Sequence, residues 1–166
     1  MTILGIDPGY AIVGYGVLEY DGRRFKTIEY GAITTDASMD MMDRLKSIYD
    51  DLNKVIERVK PDFMAIEELF FNSNQKTAIN VAQARGVLVL AALNHGIEVF
   101  EYTPLQVKQA VAGYGRADKN QVQQMVKILL GLDSVPKPDD TADAVAIAIC
   151  HGHSYNPARD KFLKQK

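Results

Sequence analysis

Residues Ile3–Gly16 read I-L-G-I-D-P-G-Y-A-I-V-G-Y-G, and this stretch decides how the rest of the chain is arranged. Apolar residues carry a short strand from Thr2 to a single acid, Asp7. A Pro-Gly turn follows, and a glycine-punctuated second strand runs from Val13 to Tyr20. An unpaired buried charge is strongly disfavoured, so a carboxylate ending an apolar strand needs a cation. Alternatively it caps the backbone of its own turn. The stretch alone leaves both readings open.

Working outward, Asp21-Gly22 joins the second strand to a third, Phe25–Ile33, with a strong hairpin signal. Met42, Leu45, Ile48, Leu52, Val55, Ile56 and Val59 then recur at helical spacing and stop before Pro61. Phe63–Ile66 is a short apolar strand ending in Glu67-Glu68. Strand, helix, strand is a crossover unit, which predicts that this strand lies parallel to the first. After a loop over Phe70–Asn74, a helix is expected over Gln75–Asn94 with Gly96 as its stop. Its second half is apolar nearly all round, as in a helix central to a core or shared with a partner. A subunit interface is expected there. Ile97–Tyr102 makes a fifth strand, Leu105–Val111 a short helix after Pro104, and Asp118 or Lys119 opens another that ends at Gly131. The last helix is expected from near Asp140 through Cys150. The class is α/β: a mixed five-stranded sheet with helices on both faces. Residues 1–155 make one domain, and 156–166 are expected to be a polar, basic, frayed tail.

Composition bounds the partners. With 166 residues, 47% of them hydrophobic, the chain is long enough for one good core. Asp7 interrupts what would have to be the apolar part of a signal peptide. The longest apolar runs, such as Gly86–Leu93, are far too short to span a bilayer. The single cysteine, Cys150, lies in an apolar helix and reads as core; one cysteine excludes an internal disulfide and fits a reducing cytoplasm. The net charge is −2, but it is unevenly spread. Residues 36–68 hold nine acids against five bases, whereas residues 108–131 hold Lys108, Arg116, Lys119 and Lys127 against Asp118 alone. That basic second half is where a phosphate-binding face would be, although each lysine taken singly reads as a solvated helix face.

Four carboxylates stand at the ends of apolar elements. If the first and fourth strands are parallel neighbours, Asp7 and Glu67 emerge at one sheet edge, where open α/β sheets bind ligands. Asp140 and Asp143 are three apart at the start of the last helix and share a face; Asp140 also suits an N-cap. Four converging carboxylates repel and raise one another's pKa values, and divalent cations resolve that conflict. Oxygen-only donors favour Mg²⁺ or Mn²⁺, and His151 and His153 are poorly spaced for zinc. Two Mg²⁺ ions roughly 4 Å apart would bracket a phosphodiester.

G-I-D-P-G-x-x-x-x-G-Y-G-V (Gly5–Val17), A-I-E (Ala65–Glu67), Q-A-R-G-V (Gln83–Val87), Q-V-K-Q (Gln106–Gln109), D-K-N-Q-V-Q (Asp118–Gln123) and D-T-A-D-A-V-A-I-A-I (Asp140–Ile149) together resemble the RuvC family of crossover junction endodeoxyribonucleases. The resemblance spans Thr2 to His153, with six motifs in the family's order. It implies a ribonuclease-H-like fold with strand order 3-2-1-4-5. It implies that Asp7, Glu67, Asp140 and Asp143 are the catalytic acids that hold Mg²⁺. Glu68 and Asp139 are adjacent decoys: Glu68 faces away from Glu67 in an alternating strand, and Asp139 is expected to precede the helix. Lys108 and Lys119 match basic positions near the scissile phosphate and along the DNA. Phe70 matches an aromatic next to the site that contacts unstacked bases, although Phe71 could be the exposed ring instead. Arg116 and Lys76 are weaker candidates for backbone contacts. The implied activity is resolution of four-way DNA junctions by paired symmetric nicks, in recombination and repair. A homodimer supplies the two sites, and a branch-migration complex of a junction-binding tetramer and a hexameric motor is the partner implied by analogy.

Two rival classes remain for the structure to weigh. An actin-like or sugar-kinase-type ATPase shares the D-x-G-x-x-x-x-G loop but needs a second such domain. A non-catalytic junction-binding module would have no reason to gather four acids where DNA must lie.

Overall fold

The structure, a computed structural model, describes residues 1–69 and 75–156, without the side chains of residues 75 and 76. Phe70, Phe71, the side chain of Lys76 and the basic tail beyond Asn156 therefore lie outside the described residues. The elements are β1 (Thr2–Asp7), β2 (Ile12–Tyr20), β3 (Phe25–Thr34), α1 (Met41–Val59), β4 (Phe63–Glu67), α2 (Gln75–Asn94), β5 (Glu98–Tyr102), α3 (Pro104–Ala112), α4 (Lys119–Leu130) and α5 (Asp139–Ser154).

The five strands form one sheet in the order β3-β2-β1-β4-β5. β1 to β3 are antiparallel, while β4 lies parallel to β1, with Ile6 opposite Ile66, and β5 lies parallel to β4. The crossover through α1 thus delivers the expected parallel neighbour. β1 and β4 are central and buried on both faces, so they read as continuous apolar runs rather than alternating ones.

Two apolar cores flank this sheet. One joins Leu4, Ile6, Val17, Met64 and Ile66 to α1 (Ile48, Leu52, Val55, Ile56) and α2 (Ala84, Leu88, Ala91, Ala92). The other joins Ile3, Leu18 and Ala65 to α3, α4 and α5. α5 is nearly wholly buried from Thr141 to Gly152, which explains its lack of a polar face. Cys150 is core as expected, and burial pushes its thiol up to about 11.

The start of α5 differs from the expectation. Asp139 is already helical, Pro138 occupies the N-cap position without a side-chain hydrogen bond, and Asp140 lies in the first turn. Asp140 is therefore not the N-cap, and its carboxylate is left for other work. At the other end of α5, the buried His151, given no role by the sequence, hydrogen-bonds through Nδ1 to the Tyr102 hydroxyl at 2.8 Å. Its ring packs among Phe63, Phe100 and Tyr155, and burial holds it down to about 4, so it is neutral. The pair pins the C-terminal end of α5 to the edge strand β5.

Candidate active site

Asp7 and Glu67 are the last residues of β1 and β4. Because these strands are parallel and in register at Ile6 and Ile66, both acids leave the sheet at the same edge and level. α5 lies across β1 and β2 and brings Asp140 and Asp143 to that edge. Its close approach depends on glycine. A Cβ on Gly14 would collide with the Asp140 carbonyl, and one on Gly5 with the Ala144 carbonyl. Thr141 Oγ1 donates to the Gly31 carbonyl at 3.1 Å and ties the first turn of α5 to β3.

These acids act on one another through their charges. Asp7 is pushed up to about 8, first by burial and then by the charges of Glu67, Asp143 and Asp140, with Lys119 pulling the other way. Glu67 is raised by burial and by Asp143, against Lys108 and Lys119. Asp143 is raised by burial, against its hydrogen bond and charge contact with Lys119. Clustered acids with raised pKa values at a cleft are the usual mark of a functional site.

Two short helices bring the cations. A Thr103–Gln106 capping box starts α3, which carries Lys108, and an Asp118–Gln121 box starts α4, which opens with Lys119. Lys119 Nζ stands 3.0 Å from Asp143 Oδ2 and 3.6 Å from Asp139 Oδ2. Burial pulls the Lys119 ammonium down, yet its contacts with Asp143, Asp139 and Asp140 together lift it. Glu67, Lys108, Lys119 and Asp143 line a cleft of about 260 Å³ together with Val107, Val122, Ala146 and Ile147.

The donor chemistry fits a hard dication, since the four groups are carboxylates and Asp7 needs a positive neighbour to ionise at neutral pH. Among the described residues no three acids or imidazoles close into a ready-made cage, and Lys119 supplies positive charge there. Of the two decoys, Glu68 is exposed and donates its backbone N–H to Tyr102. Asp139 pairs with Lys137 at 2.7 Å and is closer to the site than expected, through Lys119. Arg116 is exposed on the loop before Asp118 and does not line the cleft. Residues that sequence reasoning missed include Arg85, whose Nε donates to the Glu67 carbonyl at 3.3 Å. Gly14 was missed too; its alternation with Gly5 and Gly16 was a visible signal, but not which backbone it faced.

Comparison with known proteins gives one consistent set of relatives. Residues 3–151 match the family model described as crossover junction endodeoxyribonuclease RuvC. The protein of that name from Alkaliphilus oremlandii is 64% identical over 156 residues, covering 94% of this chain and 95% of the relative. Its counterpart from Ruminiclostridium cellulolyticum is 61% identical over 155 residues, covering 93% of each. Among solved structures, T. thermophilus RuvC in complex with Holliday junction substrate superposes with a TM-score of 0.88 at 36% identity, covering 92% of this chain and 93% of that one. The yeast mitochondrial Holliday junction resolvase Ydc2, 15% identical with a TM-score of 0.65 over 98% of this chain and 85% of that one, shares the fold.

Proposed function

The chain belongs to the RuvC family of crossover junction endodeoxyribonucleases, metal-dependent nucleases, and on that premise we propose that Asp7, Glu67, Asp140 and Asp143 hold two Mg²⁺ ions at its cleft. The protein is a Holliday junction resolvase of DNA recombination and repair. The observation that carries the site assignment is the half-buried Asp7 carboxyl, lifted to about 8 beside three further carboxylates and Lys119.

Held by these four carboxylates, Mg²⁺ or Mn²⁺ would supply water activation and charge neutralisation at the leaving 3′ oxygen. The chain's own residues do the rest. Lys108 and Lys119, which line the cleft, hold the scissile phosphate as point charges. Lys119 exchanges its Asp143 partner for that phosphate. Arg116 is exposed one turn away in sequence and takes a backbone phosphate further along the strand. Phe70, or its neighbour Phe71, is the ring proposed to stack on an unpaired base at the crossover; both lie outside the described residues. Residues 1–155 make one nuclease domain, working in a reducing cytoplasm. No helix among the described residues is long and apolar enough to cross a membrane.

The decisive experiment is incubation of the protein with a synthetic mobile four-way junction, with and without Mg²⁺. Paired symmetric nicks that need the metal are expected. Equal cutting of RNA–DNA hybrid duplexes, or ATP turnover without nicking, would replace this reading with a generic ribonuclease H or an actin-like ATPase.

A homodimer supplies the second site, and α2 is the surface proposed for it. Ile79, Leu90 and Leu93 are large apolar residues more than half exposed along one stripe of that helix. Gly86 lies between them, with nothing near where a side chain would be, so a second backbone could approach closely. Leu90→Glu combined with Leu93→Glu should give a monomer in sedimentation and convert paired nicks into slow, uncoordinated single ones. An unchanged dimer would move the interface elsewhere. The branch-migration complex of tetramer and motor remains the partner proposed for the assembled dimer on its junction.

A further inference from the structure

The Q-A-R-G-V motif supplies none of the clustered acids or cleft lysines, yet it places a guanidinium directly behind Glu67. Arg85 lies on α2 with its side chain 18% exposed. Its Nε donates to the backbone carbonyl of Glu67 at 3.3 Å, and its Nη2 stands 2.8 Å from Glu101 Oε1 on β5. The second contact is a close ion pair rather than an aligned hydrogen bond, because Nη2 has no hydrogen-bond acceptor. One planar group thus spans the C-terminal ends of β4 and β5 from the helix beside them.

The backbone of Glu67 explains why that matters. The β1–β4 pairing ends at Ile6 and Ile66, so Glu67 is held by β5 alone, opposite Tyr102. The Glu68 N–H is satisfied by the Tyr102 carbonyl, but the Glu67 carbonyl turns to Arg85. A carbonyl at a strand end that lost its donor would let that residue rotate, and the carboxylate would rotate with it. The charges that move the Glu67 carboxyl are Asp143, Lys108 and Lys119. Arg85 therefore acts on the main chain of Glu67 and not on its ionisation.

We propose that Arg85 is a positioning residue that fixes the end of β4 so that Glu67 faces the other acids, joining the seat of α2 to the metal site. The inference rests on the reading of Glu67 as a metal-binding acid. Arg85 is next to Gly86 and faces inward while the Ile79–Leu93 stripe faces out.

The test uses the full-length protein with four variants: Arg85→Ala, Arg85→Lys, Glu101→Gln and Glu67→Gln. Mn²⁺ binding without DNA is read by paramagnetic resonance, and junction binding is read in Ca²⁺. Cleavage rates are measured across a Mg²⁺ titration, well below each variant's melting temperature. Residues that orient metal ligands typically change affinity or activity by about 10- to 100-fold. Arg85→Ala and Arg85→Lys should both fall in that range for Mn²⁺ affinity and for cleavage at low Mg²⁺. High Mg²⁺ should partly restore cleavage, with junction binding within about twofold of the parent. Arg85→Lys keeps the charge but not the fork, so it separates geometry from electrostatics. Glu101→Gln, which leaves the Nε bond in place, should lose only about two- to threefold. Parental Mn²⁺ affinity in both Arg85 variants, whatever their melting temperatures, overturns the proposal. Parental Mn²⁺ affinity in Glu67→Gln overturns the underlying site reading instead.

Discussion

Asp7→Asn is expected to cut a four-way junction at least about 10³-fold more slowly in Mg²⁺ than the parent, while binding it as well or better. The asparagine keeps the size of the side chain and removes a negative charge from a cleft that must receive phosphate. The same change should stabilise the protein in the absence of metal. The native Asp7 holds its proton up to about pH 8, whereas the unfolded residue releases it near 3.8. Between those values the native state carries a proton that the unfolded state lacks, so this residue makes stability rise as pH falls from about 8 towards 4. At pH 7 the parent bears a cost on the order of 2–4 kcal/mol that asparagine avoids. A chain of this size should then melt roughly 5–10 °C higher in chelator at pH 7, with the gain vanishing near pH 4. Differential scanning calorimetry of both proteins across that range checks it. Cleavage within tenfold of the parent, or a lower melting temperature at pH 7, would remove Asp7 from the acidic centre.

Gly14→Ala is expected to have the second largest effect, although it adds only a methyl group and touches no acid side chain. That methyl meets the carbonyl of Asp140, in the first turn of α5, where the obstacle is backbone and not a side chain that can turn aside. The helix must rise from the sheet, losing the Thr141–Gly31 hydrogen bond and lifting Asp140 and Asp143 away from Asp7. Overpacking of this kind costs about 1–3 kcal/mol in stability. A displacement near 1 Å at a reacting centre costs about 100-fold in rate. Urea unfolding and single-turnover cleavage measure the two losses separately. Cleavage of Gly14→Ala within threefold of the parent would show that α5 has slack against β2.

Much of this was legible in the sequence because the signals were local. Gly96, with φ of 71°, and the Thr103–Gln106 capping box set boundaries that a linear reading can find. The parallel placement of Asp7 and Glu67 followed from the strand–helix–strand order, which leaves few topologies. The start of α5 was harder to read. In Pro138-Asp139-Asp140 any of the three could open the helix, and the proline takes the N-cap position with no side-chain bond to mark it. Asp139 was dismissed as lying outside the helix, yet in three dimensions it shares Lys119 with Asp143. Arg85 escaped because a long side chain that reaches a carbonyl 18 residues back leaves no trace in periodicity. His151 gave no motif to read, since its meaning comes from Tyr102 and Phe100 on a strand 49 and 51 positions earlier in the chain.

The ammonium that Lys119 lends to Asp143 has one more implication. A nuclease whose acids could tolerate one another only with ions aboard would come apart whenever those ions were scarce. Here the polypeptide carries its own counter-charge on α4, so a newly made molecule can reach its final shape before encountering any mineral. Scarcity then silences the enzyme without destroying it, and resupply wakes the same molecule.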